Sequence, residues 1–443
     1  MLASAGIEVQ HELLARLDQA RTQTDTLFEL VRPEFLYDRP IPERHRIIFY
    51  VGHLEAFDWN LLRERVLEGA SFHSEFDQLF AFGIDPVGGG LPSDQPSDWP
   101  SLKQVREYVG QVRQALDAGL NAGKLSEERS QGDWSPGMLL NVAIEHRLMH
   151  AETLAYLLHQ LPHDHKIAPP RPTEALAAAV SPAMVEIPGG VATLGMSRND
   201  PTNFGWDNEC EEHAVAVPAF AIDRFKVTNR EYLQFIEAGG YEDRALWNQA
   251  DWNWKTEKNV SHPIFWSQKD GVWRYRTMFE HIALPLDWPV YASHAEASAY
   301  AHWGGKTLPS EAQWHRAALG SIAGPERPYP WGAESPGRRR GNIDFEGWNP
   351  MPVGAFPPGQ SAFGVFDLVG NGWEWTATEF GPFPGFRPFS FYPGYSANFF
   401  DGKHFVLKGG SARTAACMLR RSFRNWFQPH YQYVYAGFRC VSR

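Results

Sequence analysis

Residues 136–161 read PGMLLNVAIEHRLMHAETLAYLLHQL, and this stretch decides how the first part of the chain folds. Gly and Pro occur only at its first two positions, and apolar residues recur at helical spacing, which predicts one long helix opening at Pro136. Within it stand Glu145-His146-Arg147-Leu148-Met149-His150. Helix positions four apart lie on one face about one turn apart, so the two imidazoles can reach a single metal ion. Arg147 stands where a zincin-type H-E-x-x-H motif needs Glu, which argues against metalloprotease chemistry. On its own, such a pair is equally compatible with two packed or surface histidines.

A long amphipathic helix needs partners for its apolar face. Residues 7–30, 43–67 and 101–120 supply three more helix-patterned stretches, and four such helices predict a bundle over residues 1–161. The second stretch places His53 among Tyr50, Val51, Leu54, Ala56 and Phe57. A lone histidine there is more often a core residue; set against His146 and His150 across a bundle, it becomes the third candidate ligand. Three neutral nitrogens leave coordination positions open, and imidazole suits Fe, Zn, Cu or Ni, so the ligands alone do not choose the ion. Glu55, Asp58 and Glu145 are candidate acceptors for the ring N–H groups. The plainer expectation for all three is that of solvated helix charges.

The rest of the chain has different habits. Residues 162–183 are rich in proline and small residues and read as a linker. From 184 to 443 the strands are short, Gly and Pro punctuate every few residues, and helices are expected only near 229–238, 294–303 and 310–319. This predicts an α+β domain with much irregular backbone. The whole chain has 443 residues, 43% of them hydrophobic, enough for real cores and too many for disorder. Its net charge of −11, with no long basic run, excludes a general nucleic-acid-binding face. No run of about 18 apolar residues suggests a membrane span. The first residues, MLASAGIEVQHELL, lack a basic segment followed by an apolar one, and three cysteines cannot form a disulfide framework, so a soluble cytoplasmic protein is expected.

The second half carries a specific set of motifs: Ile187-Pro188-Gly189-Gly190, Val227-Thr228-Asn229-Arg230-Glu231-Tyr232, Leu308-Pro309-Ser310-Glu311-Ala312-Gln313-Trp314, Gly370-Asn371-Gly372-Trp373-Glu374-Trp375, Lys408-Gly409-Gly410-Ser411 and Gly437-Phe438-Arg439-Cys440. Together they resemble the formylglycine-generating-enzyme fold, a C-type-lectin-like α+β domain, with Arg439 and Glu374 expected in internal polar pairing. Residues 1–161 resemble the DinB-type four-helix bundle. The two in series resemble the ergothioneine-type sulfoxide synthases. That resemblance implies iron(II) held by His53, His146 and His150, with O2 used to join sulfur to the imidazole C2 of hercynine (trimethylhistidine). A quaternary ammonium cannot accept or donate a hydrogen bond and favours aromatic faces. The run Ser422-Phe423-Arg424-Asn425-Trp426-Phe427 is similar to the family's substrate segment, which assigns Asn425 and Trp426 to the trimethylammonium end; Phe427 stands where the family has an acidic residue.

Other departures bear on the donor. Met149 replaces a glutamine of the family's His-Glu-Gln-Gln-His motif at a substrate-facing position, and no Arg or Lys occurs between residues 83 and 94, where the family binds the carboxylates of a γ-glutamylcysteine donor. Gly88-Gly89-Gly90 and Ser93-Asp94 instead suit a neutral, polyhydroxylated group. These features resemble the selenoneine synthase subgroup, which takes selenium from a seleno-sugar, with a thiol such as cysteine as the alternative donor. A proton-donating tyrosine is expected near the iron, with Tyr392 and Tyr395 as nearby candidates. A copper-dependent formylglycine-generating oxidase is disfavoured by the scattered Cys210, Cys417 and Cys440, and a non-catalytic lectin-like module by the intact histidine set.

Overall fold

The computed structural model describes residues 2–81, 91–122, 130–170, 180–198 and 203–442, with side chains from residue 10 onward. The glycine run Gly88-Gly89-Gly90 lies outside the described residues. The chain divides into two compact units, residues 1–170 and 171–443.

The first unit is built on α1 (Leu2–Glu29), α2 (Ile47–Leu62), the short α3 (Ser74–Leu79), α4 (Leu102–Asn121) and α5 (Pro136–Gln160). Each of the four predicted helices is present. α2 starts four residues later than the pattern at Glu43 implied and runs on through a π-turn at Arg63–Leu67. α4 shows why it is a surface helix: Val105, Tyr108, Val112, Leu116 and Leu120 form one buried stripe at spacings of three and four. Its N-terminus is closed by Ser101, whose side chain caps Gln104 while Gln104 bonds back. α5 is buried almost all round, from Leu139 to Leu158, which makes it the central helix; α1 and α2 pack along it and α4 packs on α2. The stretch expected to be a linker begins by docking on this bundle. Lys166 is buried with its ammonium on the carbonyl of Leu158 (3.0 Å), and the amide of Ile167 donates to Leu30 O (2.8 Å).

The second unit holds twelve described strands: β1 (Met184–Ile187), β2 (Gly190–Leu194), β3 (His213–Val217), β4 (Phe220–Asp223), β5 (Trp266–Lys269), β6 (Val272–Arg276), β7 (His281–Ala283), β8 (Trp373–Glu379), β9 (Phe405–Lys408), β10 (Asn425–Phe427), β11 (Ala436–Gly437) and β12 (Val441–Ser442). They form four small sheets, ordered β1-β4-β12, β10-β9-β8-β11, β2-β3 and β5-β6-β7. Helices α6 (Asn229–Glu237), α8 (His294–Trp303) and α9 (Glu311–Leu319) match the expected ones, and each opens on a capping box, at Thr228, Ser293 and Ser310. A further helix, α7 (Gln249–Glu257), was not expected. A core of Ile187, Val217, Phe220, Ile222, Trp314, Leu319, Leu368 and Val441 joins the first sheet to α9.

The motif Gly370-Asn371-Gly372 takes three successive left-handed conformations, φ +88°, +58° and +114°. A Cβ at Gly372 would meet the ring of Tyr291 at 2.6 Å, so only glycine fits. The expected pairing of Arg439 with Glu374 is bidentate, at 2.8 and 2.7 Å, and Lys226 and Trp314 complete the carboxylate's hydrogen bonds at 2.5 and 3.0 Å. Glu374, Arg439 and Lys226 are essentially unexposed, so this is a fully satisfied polar centre inside an apolar core. Among the described residues, no helix is long and apolar enough to cross a membrane.

Candidate metal centre

The chain places His53 mid-way along α2 and His146 and His150 one turn apart on α5. The packing of α2 on α5 brings the three rings together, with centroids 5.4 Å (His53–His146), 4.9 Å (His53–His150) and 4.5 Å (His146–His150) apart. One nitrogen from each lies within 4.8 Å of the others, the only such group of three metal-ligating side chains among the described residues. All three are 5% exposed or less.

The tautomer of His53 follows from its partner. Its Nδ1 lies 2.7 Å from the carbonyl oxygen of Phe80, which can only accept, so Nδ1 carries the proton and Nε2 presents its lone pair. That Nε2, with Nδ1 of His146 and Nδ1 of His150, is buried without a protein partner. Buried polar atoms normally find one. One ring nitrogen of each histidine converges with the others to within 4.8 Å in a buried setting, and that arrangement fits a metal ion. Burial lowers the His53 pKa to about 4 and pushes His146 and His150 well below the usual histidine value. All three rings are therefore neutral at pH 7, the state in which nitrogen can bind a metal.

Aromatic rings fix the imidazoles in place. Phe49 stacks on His53 (4.8 Å between centroids), Phe57 stacks on His146 (3.4 Å) and Tyr50 packs against His150 (5.8 Å). All three braces come from α2, one turn before or after His53.

Glu55 and Asp58 correct both sequence expectations. They neither accept from a ligand imidazole nor face solvent. Glu55 accepts from Arg147 (3.0 Å) and Arg113 (2.8 Å), and Asp58 accepts from Arg147 (2.5 Å), with Glu55, Asp58 and Arg147 all buried. The acceptor for His53 is instead a backbone carbonyl. Glu145 is also buried rather than solvated.

Asp94 corrects a second expectation. The stretch before it contains no Arg or Lys, yet Arg39 and Arg46 reach it from the chain ahead of α2. Both pair with its carboxylate, Arg46 at 2.9 Å, and Trp99 Nε1 donates to it at 2.7 Å. Asp94 is thus committed to three donors and is not a free acceptor for a sugar hydroxyl. Two guanidinium groups thus meet at the Asp94 carboxylate. Trp99 packs edge-on against Phe49 (5.9 Å), linking the cluster to the ring stacked on His53.

The candidate substrate residues fall in two places. Met149 is on α5, half-buried between the two ligand histidines in sequence. Asn425, Trp426 and Phe427 form β10, paired with β9, all half-buried. Trp426 stacks on Phe380 (4.2 Å, 6°), with Tyr395 and Phe399 at 5.5 and 5.6 Å. Phe427 stacks on Tyr431 (5.2 Å), and Asn425 Oδ1 accepts from the Trp426 amide (2.9 Å). Of the two tyrosines, Tyr395 lies in this aromatic group and also stacks on Trp206 (3.9 Å).

Residues 171–443 match the sulfatase-modifying factor enzyme 1-like domain, and residues 16–154 match the DinB superfamily. The class is therefore a DinB-type helix bundle joined to a formylglycine-generating-enzyme-like α+β domain. A hercynine oxygenase of Mycolicibacterium thermoresistibile is 37% identical over 455 residues, 98% of this chain and 96% of that protein. One from Mycolicibacterium smegmatis is 36% identical over 360 residues, 79% of each chain. Ergothioneine biosynthesis protein 1 of Neurospora crassa is 28% identical over 500 residues, covering 93% of this chain and 55% of that protein. This chain belongs to the hercynine oxygenase family, and it is an enzyme.

Proposed function

We propose that the protein is an iron(II)- and O2-dependent enzyme that forms a carbon–chalcogen bond at the imidazole C2 of hercynine. The observation that carries this reading is the buried histidine triad, within a chain whose relatives are hercynine oxygenases. In it, residues 1–161 are the metal-binding bundle, 162–183 the linker and 184–443 the domain that supplies substrate contacts. His53, His146 and His150 would hold the ion, and three ligands would leave positions open for small molecules. Bound there, iron(II) would supply those open positions and the electrons for O2 chemistry. The Phe80 carbonyl keeps the proton on Nδ1 of His53 and so keeps Nε2 available. Burial of the three imidazoles limits water around them. Trp426 offers an aromatic ring to the trimethylammonium group, Asn425 a side-chain oxygen and Phe427 an apolar side chain, while on the bundle Met149 is a substrate-binding residue in its own right.

For the donor, sulfur takes precedence. Relatives bear the name ergothioneine biosynthesis protein, and Arg39 and Arg46 beside Asp94 remove part of the argument against a charged thiol. A seleno-sugar is the second reading, favoured by Met149 and by the absence of Arg and Lys from residues 83–94. One assay separates the two. Purified protein, iron(II), O2 and hercynine are incubated with cysteine, γ-glutamylcysteine or a seleno-sugar, and products are identified by mass. Turnover with the thiols alone removes the selenium reading. No product from any donor, with iron bound, overturns the proposal itself.

A further inference from the structure

The helix that carries His146 and His150 also carries a fully buried arginine between them, and the metal site makes no direct use of it. Arg147 has 0% exposure. It follows His146 by one residue, about 100° around the helix, so it points away from the imidazole face and across to α2. There its guanidinium donates to Glu55 Oε1 (3.0 Å), to the Leu54 carbonyl (3.1 Å) and to Asp58 Oδ2 (2.5 Å). Leu54 adjoins His53 in sequence, and Glu55 and Asp58 lie within the next turn and a half. Glu55 is shared with Arg113 of α4, which also grips Asp25 of α1 through two bonds (2.7 and 2.8 Å). One hydrogen-bonded ion network thus ties all four long helices together behind the histidines.

Apolar faces tolerate small slides; a planar guanidinium bound to three fixed acceptors does not. Burying charges is a poor way to gain stability but a good way to fix register. We propose that Arg147 is a positioning residue: it sets the register of α5 against α2 and so holds His53 at bonding distance from the ion bound by His146 and His150. This rests on the three histidines being the ligands, and the test separates the two claims.

The test titrates the full-length protein anaerobically with cobalt(II), read by the visible absorption bands of the bound ion. Wild type is compared with the His53→Ala/His146→Ala/His150→Ala variant, with Arg147→Lys, and with Arg147→Met/Glu55→Leu/Asp58→Leu. Far-UV circular dichroism and thermal midpoints are recorded alongside. If wild type binds no more tightly than the triple alanine variant, the ligand assignment fails and the proposal falls with it. If the ligands hold, Arg147→Lys, which keeps the charge but loses the fork, should weaken cobalt binding at least tenfold and change its spectrum. The apolar replacement should keep or recover the thermal midpoint without recovering affinity. A purely structural role for Arg147 would restore both together. Wild-type affinity and spectrum in either Arg147 variant would overturn the positioning role.

Discussion

Replacing Gly52 with alanine should destabilise the bundle, although alanine is the better helix former. Gly52 lies inside α2, next to His53. Helix propensity alone predicts a gain of about 1 kcal/mol. Space decides otherwise. A Cβ at Gly52 would lie 2.6 Å from three atoms of the Phe80 ring, roughly 1 Å inside ordinary carbon–carbon contact. The ring cannot simply yield: it is 0% exposed and faces Phe49, Phe76, Trp99 and Tyr108 at 5.6–6.4 Å. Overpacking of this kind costs about 1–3 kcal/mol, occasionally more. Set against the propensity gain, the net expectation is a loss of up to about 2 kcal/mol, or a fall of up to about 8 °C in the bundle's midpoint. Because the carbonyl of Phe80 orients His53, metal affinity should fall with it. The check is urea unfolding followed at 222 nm, in wild type, Gly52→Ala, Phe80→Leu and the double variant. In the Phe80→Leu background the ring is gone, and the alanine should become neutral or stabilising. A raised midpoint in Gly52→Ala alone, or an unchanged cost in the double variant, would refute the steric account.

Saturating metal should stabilise the bundle by about 2.7 kcal/mol at a hundredfold excess over its Kd, with a chelator abolishing the shift and the triple alanine variant showing none. Glu374→Gln should cost the second unit about 3–5 kcal/mol, because Lys226 and Arg439 would be left buried with too little countercharge; a urea-measured loss under about 1 kcal/mol would contradict that. Glu326 tests the acid limb. Burial would raise its pKa, but the interaction with His315 and the hydrogen bond from the Thr193 amide outweigh it and lower the pKa from 4.5 to about 2, so its contribution is complete above pH 4.5 and fades as pH falls toward 2. Wild type should accordingly be more stable than Glu326→Gln at pH 6, and the gap should narrow as pH falls below 4.5 and close only below about pH 2, as followed by thermal unfolding. Trp426→Ala should raise the KM for hercynine while leaving cobalt binding intact; a change in cobalt affinity instead would place Trp426 outside the substrate role.

Where apolar spacing was strong, the sequence was easily read. The stripe Val105, Tyr108, Val112 fixed α4, and the spacing of His146 and His150 put both rings on one face before any partner helix was known. α7 escaped because its buried side is a single residue, Asp251, and the helix is announced only by its cap, Asn248. The ion network does leave a signal in the sequence. Arg147, Glu55 and Asp58 interrupt helices otherwise apolar on nearly every side, and a charge in such a helix has no water to face. The partner of His53 had no signal at all: a backbone carbonyl is the same at every residue, and only the turn ending α3 brings that of Phe80 to the ring. Arg39 and Arg46 leave no signal within residues 83–94 for a related reason, since the fold brings their charge to Asp94 from another stretch of chain.

The sheet β1-β4-β12 joins residues 184–187 and 220–223 to residues 441–442, and Arg439 closes the polar centre on Glu374. That half therefore cannot finish folding until residue 442 has left the ribosome. The bundle has no such dependence, since its helices all lie before residue 171. At about 5–20 residues per second, synthesis takes roughly 15–55 s to pass from one point to the other. For that interval the bundle can fold and bring His53, His146 and His150 together on a nascent chain whose second unit is still incomplete.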